Sequence, residues 1–149
     1  MDMKVKMETP SKVIRAHLED EMGKYRQRII TWLHVIGEKC VNDARLSGSY
    51  KDRTGNLRGS TGYAVVDRGA VITIGGFKQV LDGKDGPRNG RSYLNKVISE
   101  TTELVGPMLI VVAGMNYAYF VHDRGYNVLD SAEILAEKLV RELQAKLEK

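Results

Sequence analysis

Residues 11–45 read SKVIRAHLEDEMGKYRQRIITWLHVIGEKCVNDAR, and this stretch dominates the fold. Its apolar side chains recur every three or four residues, the spacing of one face of an α-helix. The pattern predicts one long helix with a continuous apolar face, which begins at Pro10-Ser11 and ends near Arg45. The apolar positions are Ile14, Leu18, Met22, Tyr25, Ile29, Trp32, Ile36, Cys40 and Ala44.

Strand patterns follow this helix. Residues 63–66 and 71–74 predict two short strands, and the glycine of a tight hairpin turn lies between them, at Gly69. Residues 108–113 are apolar on both faces and β-branched in the middle. Such a run is typical of a buried strand, so it is predicted to pair with the hairpin as the central strand.

The remaining segments complete a single domain over residues 1–149. Residues 1–9 are predicted to be a flexible arm, and the glycine-rich residues 75–92 a flexible insertion loop. Residues 93–103 predict a short helix and residues 117–122 a helical turn. Asp130 is the expected N-cap of a last helix, with Glu133 at the third helical position. Two helices on one face of a small antiparallel sheet make this an α+β fold.

Composition limits the class of protein. The 149 residues suit one domain with a real core, and the apolar share of 42% and charged share of 28% are those of an ordinary soluble protein. Cys40 is the single cysteine, so no internal disulfide is expected. No apolar run approaches the roughly 18 residues of a membrane span, and the N-terminus lacks the apolar region of a secretory signal. These features predict a protein made and used in a cytosol.

Positive charge is concentrated in one loop region. The formal net charge is +4, and residues 45–59 contain four positive groups and one negative group. Arginine forks match phosphate oxygens, so this region could contact nucleic acid, although a solvated loop with ordinary positive charge is the favoured interpretation. No helix-turn-helix, zinc finger or aromatic RNA-binding signature accompanies it, so sequence-specific recognition is not expected.

Candidate catalytic and metal-binding residues are few and scattered. His17 and His34 lie in the first helix without metal-ligand spacing, and His122-Asp123 has no companion nucleophile. Residues 86–92 fail the phosphate-loop pattern in glycine spacing and lack a leading strand. Cys40 lies in the apolar stripe. The chain is therefore expected to be no enzyme and to carry no metal, cofactor or small-molecule substrate.

Two tracts and their context resemble a known family. DRTGNLRGSTGY (residues 52–63) precedes the hairpin, and VVAGMNYAYFVHDRGYNVL (residues 111–129) precedes the last helix. Together they resemble the tail-component family of long-tailed bacteriophages and prophages, the small head–tail joining, tail-completion or neck proteins. The resemblance covers nearly the whole chain from Ser11. One departure is His122, followed by Asp123, where the family usually carries glutamate; another is the long glycine-rich insertion.

The resemblance implies a structural virion protein, made in the bacterial host cytoplasm, that forms a six-fold ring at the neck or tail end. Implied partners are copies of itself, neighbouring head-connector and tail-tube proteins and, without sequence preference, packaged DNA; no membrane is involved. The alternative is a nucleic-acid-associated protein that uses the basic residues 45–59. The residues expected to face a partner subunit or DNA are Arg53, Asn56, Arg58, Arg88, Arg91, Tyr117, Arg124 and Tyr126.

Overall fold

The computed structural model describes residues 3, 10–102 and 105–148. It confirms an α+β fold with a long N-terminal helix, a three-stranded antiparallel sheet and a C-terminal helix. The arm predicted over residues 1–9 lies, apart from Met3, outside the described residues. The elements are α1 (Ser11–Ser47), α2 (Asn56–Gly59), β1 (Thr61–Asp67), β2 (Ala70–Gly76), α3 (Asp85–Glu100), β3 (Pro107–Ala113), α4 (Ala118–Asp123) and α5 (Asp130–Leu147).

The central strand is β1, with β2 and β3 antiparallel on either side of it. Tyr63 of β1 lies opposite Gly75 of β2 and Val111 of β3. The prediction that residues 108–113 form the central strand is therefore wrong. Helices cover both faces of the sheet at β3, which explains an apolar pattern on both of its faces even though its outer edge is unpaired within the described residues.

One face of the sheet carries α1 and α5, as the sequence predicted. The Cys40 thiol of α1 donates to the Ala132 carbonyl oxygen of α5 at 3.6 Å, and the Tyr25 hydroxyl donates to the Leu147 carbonyl oxygen at 3.4 Å. The two helices therefore run antiparallel. Their shared core with the sheet consists of Ile30, Leu33, Ile36, Cys40, Val41, Ala44, Tyr63, Val65, Ala132 and Leu143.

The opposite face carries α3, which corrects the predicted insertion loop over residues 75–92. Gly75 and Gly76 belong to β2, and α3 begins at Asp85, so only residues 77–84 are irregular. A methyl group on Gly90 would lie 2.5 Å from the Ser60 carbonyl oxygen. The glycine here permits close approach of α3 to the chain before β1, which is a packing role that composition alone does not distinguish from a loop.

None of the described helices combines the length and apolarity that a membrane crossing requires.

Candidate assembly surfaces

The first family-like tract is fixed by a reciprocal contact between two arginines. The Arg58 Nε donates to the Arg45 carbonyl oxygen at 3.0 Å, and the Arg45 Nε donates to the Arg58 carbonyl oxygen at 3.3 Å. Arg58 also donates to the Gly48 carbonyl oxygen at 3.1 Å and lies 4.6 Å from the centre of the Tyr50 ring. Arg58, which was expected to face a partner subunit or DNA, thus donates to backbone carbonyl oxygens of its own chain.

The side chains of Asp52 and Asn56 also accept hydrogen bonds from backbone nitrogens of the same chain. The Asp52 carboxylate accepts from the backbone nitrogens of Gly55 at 3.0 Å and Arg58 at 2.9 Å, which holds the turn into α2. The Asn56 side-chain oxygen accepts from the Gly86 nitrogen at 2.9 Å and so ties α2 to the start of α3.

The second tract is anchored at Asn127. Its side-chain nitrogen donates to the Ser47 carbonyl oxygen at 3.0 Å, and its side-chain oxygen accepts from the Ser131 nitrogen at 3.2 Å. Ser131 in turn donates to the Asp43 carboxylate at 2.6 Å. The prediction that Asp130 caps α5 is wrong, because the helix has Leu129 at that position and Asn127 supplies the side-chain bond to its first turn.

The two tracts meet in one small core at the end of α1. Tyr50 and Leu57 from the first tract pack with Ala118 and Val128 from the second. Tyr117 lies beside the first tract as well: burial, followed by the negative charge of Asp52, raises its pKa. The resemblance therefore rests partly on residues that join the end of α1 to the start of α5.

The other predicted site residues lie at the surface. Arg53, Arg124 and Tyr126 are exposed. Arg88 and Arg91 are also exposed and lie three residues apart on α3, so they are neighbours on one helical face. Arg88 pairs with Asp85 at 2.6 Å, whereas the Arg91 guanidinium lies 6.0 Å from the Phe77 ring centre.

His122 and Asp123 lie at the end of α4. His122 Nδ1 lies 3.4 Å from the Asp130 carboxylate, and both side chains are half exposed. Asp123 is exposed on α4. In this chain the acidic partner of the α4 histidine thus comes from the first residue of α5.

The largest unpredicted feature is the bare first part of α1. Every residue from 11 to 25 is exposed, although the apolar stripe runs through this segment without interruption. We call residues 11–25 the overhang. Its stripe residues Ile14, Leu18, Met22 and Tyr25 are 36%, 55%, 71% and 43% exposed. Along the stripe, Ile29 and Trp32 are partly buried, and burial is complete only from Ile36 onward.

An apolar depression lies where the overhang meets the body of the protein. It has a volume of about 470 Å³ and is lined chiefly by Leu18, Met22, Tyr25, Ile29, Val105 and Pro107. Arg26, at its rim, pairs with Asp67 at the end of β1 at 3.7 Å. The apolar stripe of α1 is thus covered over only part of its length by the residues that the structure describes.

The buried polar groups form structural contacts. The Tyr63 hydroxyl lies 2.6 Å from His34 Nδ1 and donates to the Glu38 carboxylate at 2.9 Å. Burial, followed by the bond and charge of Glu38, raises the pKa of Tyr63. Within the part of the chain that the structure describes, no group of three or more His, Cys, Asp or Glu side chains is arranged to hold a metal ion.

Comparison with known proteins finds no matching family model, no similar curated protein and no similar solved structure.

Proposed function

We propose that this protein is a structural subunit of a long-tailed phage or prophage, which assembles with copies of itself into a ring at the head–tail joint or the tail end. The two tracts that resemble the phage tail-component family support this class of particle. The exposed apolar stripe of the overhang supports the assembly part of the proposal. A chain that stayed monomeric would leave these apolar side chains in water.

The energetic argument concerns water-exposed apolar area. Burying a leucine or methionine side chain stabilises an assembly by about 1.5–3 kcal/mol. Leu18 and Met22 are more than half exposed, and they lie one helical turn apart on the same face. In a ring each subunit offers two different patches to its two neighbours, so a surface like the overhang requires a different receiving surface on the next copy.

Particle assembly provides the direct test. Disrupting the gene in its phage or prophage should yield filled heads and separate tails in electron micrographs, and the intact gene supplied in trans should restore joined particles. Leu18→Asp/Met22→Asp should fail to restore them, while Ala16→Asp, on the opposite helical face, should succeed. Joined, infectious particles made without any copy of the gene would refute the virion role.

Contact with packaged DNA is tested separately. Asn56 and Arg58 are used internally, whereas the exposed basic residues of this end include Arg53 and, across the Asn56–Gly86 bond, Arg88 and Arg91. Arg53→Glu/Arg88→Glu should leave the fold unchanged and reduce particle joining if these residues face DNA or a neighbour. Tight, steeply salt-dependent binding of duplex DNA by the isolated monomer would instead favour the nucleic-acid-associated alternative.

A further inference from the structure

A vacant strand position lies beside the outer edge of β3. The edge has no paired neighbour within the described residues, and residues of α5 and of β3 line one depression together. Between them is an apolar slot of about 300 Å³, with Leu109 and Val111 of β3 on one side and Leu129, Ala132 and Ala136 of α5 on the other. An open strand edge next to an apolar groove is the usual receptor for an added strand.

The chain contains a segment with the pattern that such a slot requires. Residues 1–8 read MDMKVKME, in which apolar and charged residues alternate strictly. Alternation with a period of two is typical of a strand with one buried face. An extended segment of this length spans about 25 Å, similar to the seven residues of β3.

Residues 1–8 cannot reach the slot of their own subunit. Ala132 contacts Cys40 at 3.6 Å, so the slot lies level with Cys40, about 44 Å along α1 from Ser11 at 1.5 Å per residue. A fully extended chain covers at most about 3.6 Å per residue, so Met3 reaches roughly 29 Å from Ser11 and Val5 roughly 22 Å. Met3, which the structure describes, is 87% exposed. A second copy has no such restriction.

We propose that residues 1–8 of one copy add to the outer edge of β3 in a neighbouring copy, with Met3, Val5 and Met7 in the slot beneath α5. This inference rests on the proposed ring assembly and names one of its contacts. The overhang places Ser11 about 44 Å along α1 from the level of its own slot, so a slot that this segment occupies belongs to another copy. Because the donated segment and the slot are different surfaces, the contact is head-to-tail, the type that closes rings.

Association of the purified full-length chain tests the contact. Met3→Ser/Val5→Ser should lower the association constant, measured by sedimentation, by about tenfold or more, since two apolar side chains lose their burial. Lys4→Ser/Lys6→Ser is the matched control on the other face of the strand and should change it by less than about threefold. Equal behaviour of the two variants would overturn the proposal.

A disulfide experiment identifies the two chains that meet. With Cys40→Ala in both, one chain carries Met3→Cys, Val5→Cys or Met7→Cys and the other carries Ala136→Cys. Mixed and mildly oxidised, at least one pair should give a covalent heterodimer. A disulfide formed only within a single doubly substituted chain, or a wild-type chain that remains monomeric without any cross-link, would overturn strand exchange.

Failure of this inference is distinguishable from failure of the proposed function. If the Met3→Ser/Val5→Ser variant associates and joins heads to tails like the unaltered chain, strand exchange is wrong and the virion role stands. If the heterodimer forms as expected but particles join without the gene, strand exchange stands and the virion role is wrong.

Discussion

Arg45 and Arg58 each donate a hydrogen bond from the guanidinium Nε to the other's carbonyl oxygen, at 3.3 Å and 3.0 Å. Two like charges are thereby held close together, and burial lowers the pKa of Arg45. The carboxylate of Asp52 lies 3.9 Å from an Arg58 nitrogen, and the negative charge of Glu38 acts on Arg45. The pair closes the loop between the last turn of α1 and α2, so the stability of this loop depends on backbone acceptors more than on charge pairing.

Arg58→Ala should lower the free energy of unfolding by about 2–3 kcal/mol, because several part-buried carbonyl oxygens lose a charged donor. Arg58→Lys should recover only part of the loss, since an ammonium group lacks the planar fork that reaches separate acceptors. Urea unfolding measures both. Arg53→Ala, an exposed neighbour, is the control and should stay within about 0.5 kcal/mol of wild type. An equal effect at both positions would contradict the internal role of Arg58.

Two glycines of α1 should respond to alanine with opposite signs. A methyl group on Gly37 would overlap the ring of Tyr63, which is fully buried, so Gly37→Ala should cost about 1–3 kcal/mol. Nothing lies within 4 Å of a methyl group on Gly23. Gly23→Ala should therefore stabilise the helix by up to about 1 kcal/mol. Thermal denaturation compares the pair, and a loss at Gly23 would show that the overhang packs differently.

Cys40 should be unreactive in the folded protein. Burial, followed by the charge of Asp43, raises the pKa of its thiol to about 11. At pH 8 its alkylation should be slower than in denaturant by about a hundredfold or more, because the thiolate is the nucleophile. Because of the raised pKa, the thiol keeps its proton to a higher pH in the folded state than in the unfolded state. The unfolding free energy should thus fall as pH rises from about 9 toward 11, and less so in Cys40→Ala.

Asn127→Ala should loosen the junction of α1 and α5. Its amide bonds Ser47 and Ser131, so its loss should cost about 1–3 kcal/mol. Amide hydrogen exchange should accelerate at Ser131, whose nitrogen loses its acceptor. Asn116→Ala is the matched control, because Asn116 is exposed. Unchanged protection at Ser131 would mean that the helix start is held by other contacts.

The sequence predicted the helices and strands that local patterns determine. The stripe of α1, the hairpin around Gly69 and the apolar run of β3 each have a period or composition that one segment expresses alone. The order of the strands in the sheet, in contrast, cannot be read from one segment alone. Tyr63 and Val111 are paired partners, and which of their strands is central depends on what lies on the far side of each, a property of the whole sheet.

The candidate surfaces were harder to predict for two physical reasons. The stripe from Ile14 to Tyr25 has the same spacing as the stripe from Ile29 to Ala44, so periodicity cannot tell a face buried in its own core from one left bare. Arginines such as Arg58 are equally able to bind a phosphate or a backbone carbonyl. Only the folded position of the acceptors, here those of Arg45 and Gly48, distinguishes the two.

The bare overhang also implies a gradient of local stability along one continuous helix. Pro10 offers no side-chain cap, no acidic residue lies in the first turn, and residues 11–25 have no buried side chain. A helical segment of that length is only marginally stable without tertiary contacts. We therefore expect the backbone hydrogen bonds near Ser11 to open at almost no cost in free energy, and those near Ile36 to open only when the whole domain unfolds. Binding of a neighbouring subunit to the overhang would therefore slow hydrogen exchange at the amides of residues 11–25, so assembly can be followed without an added label.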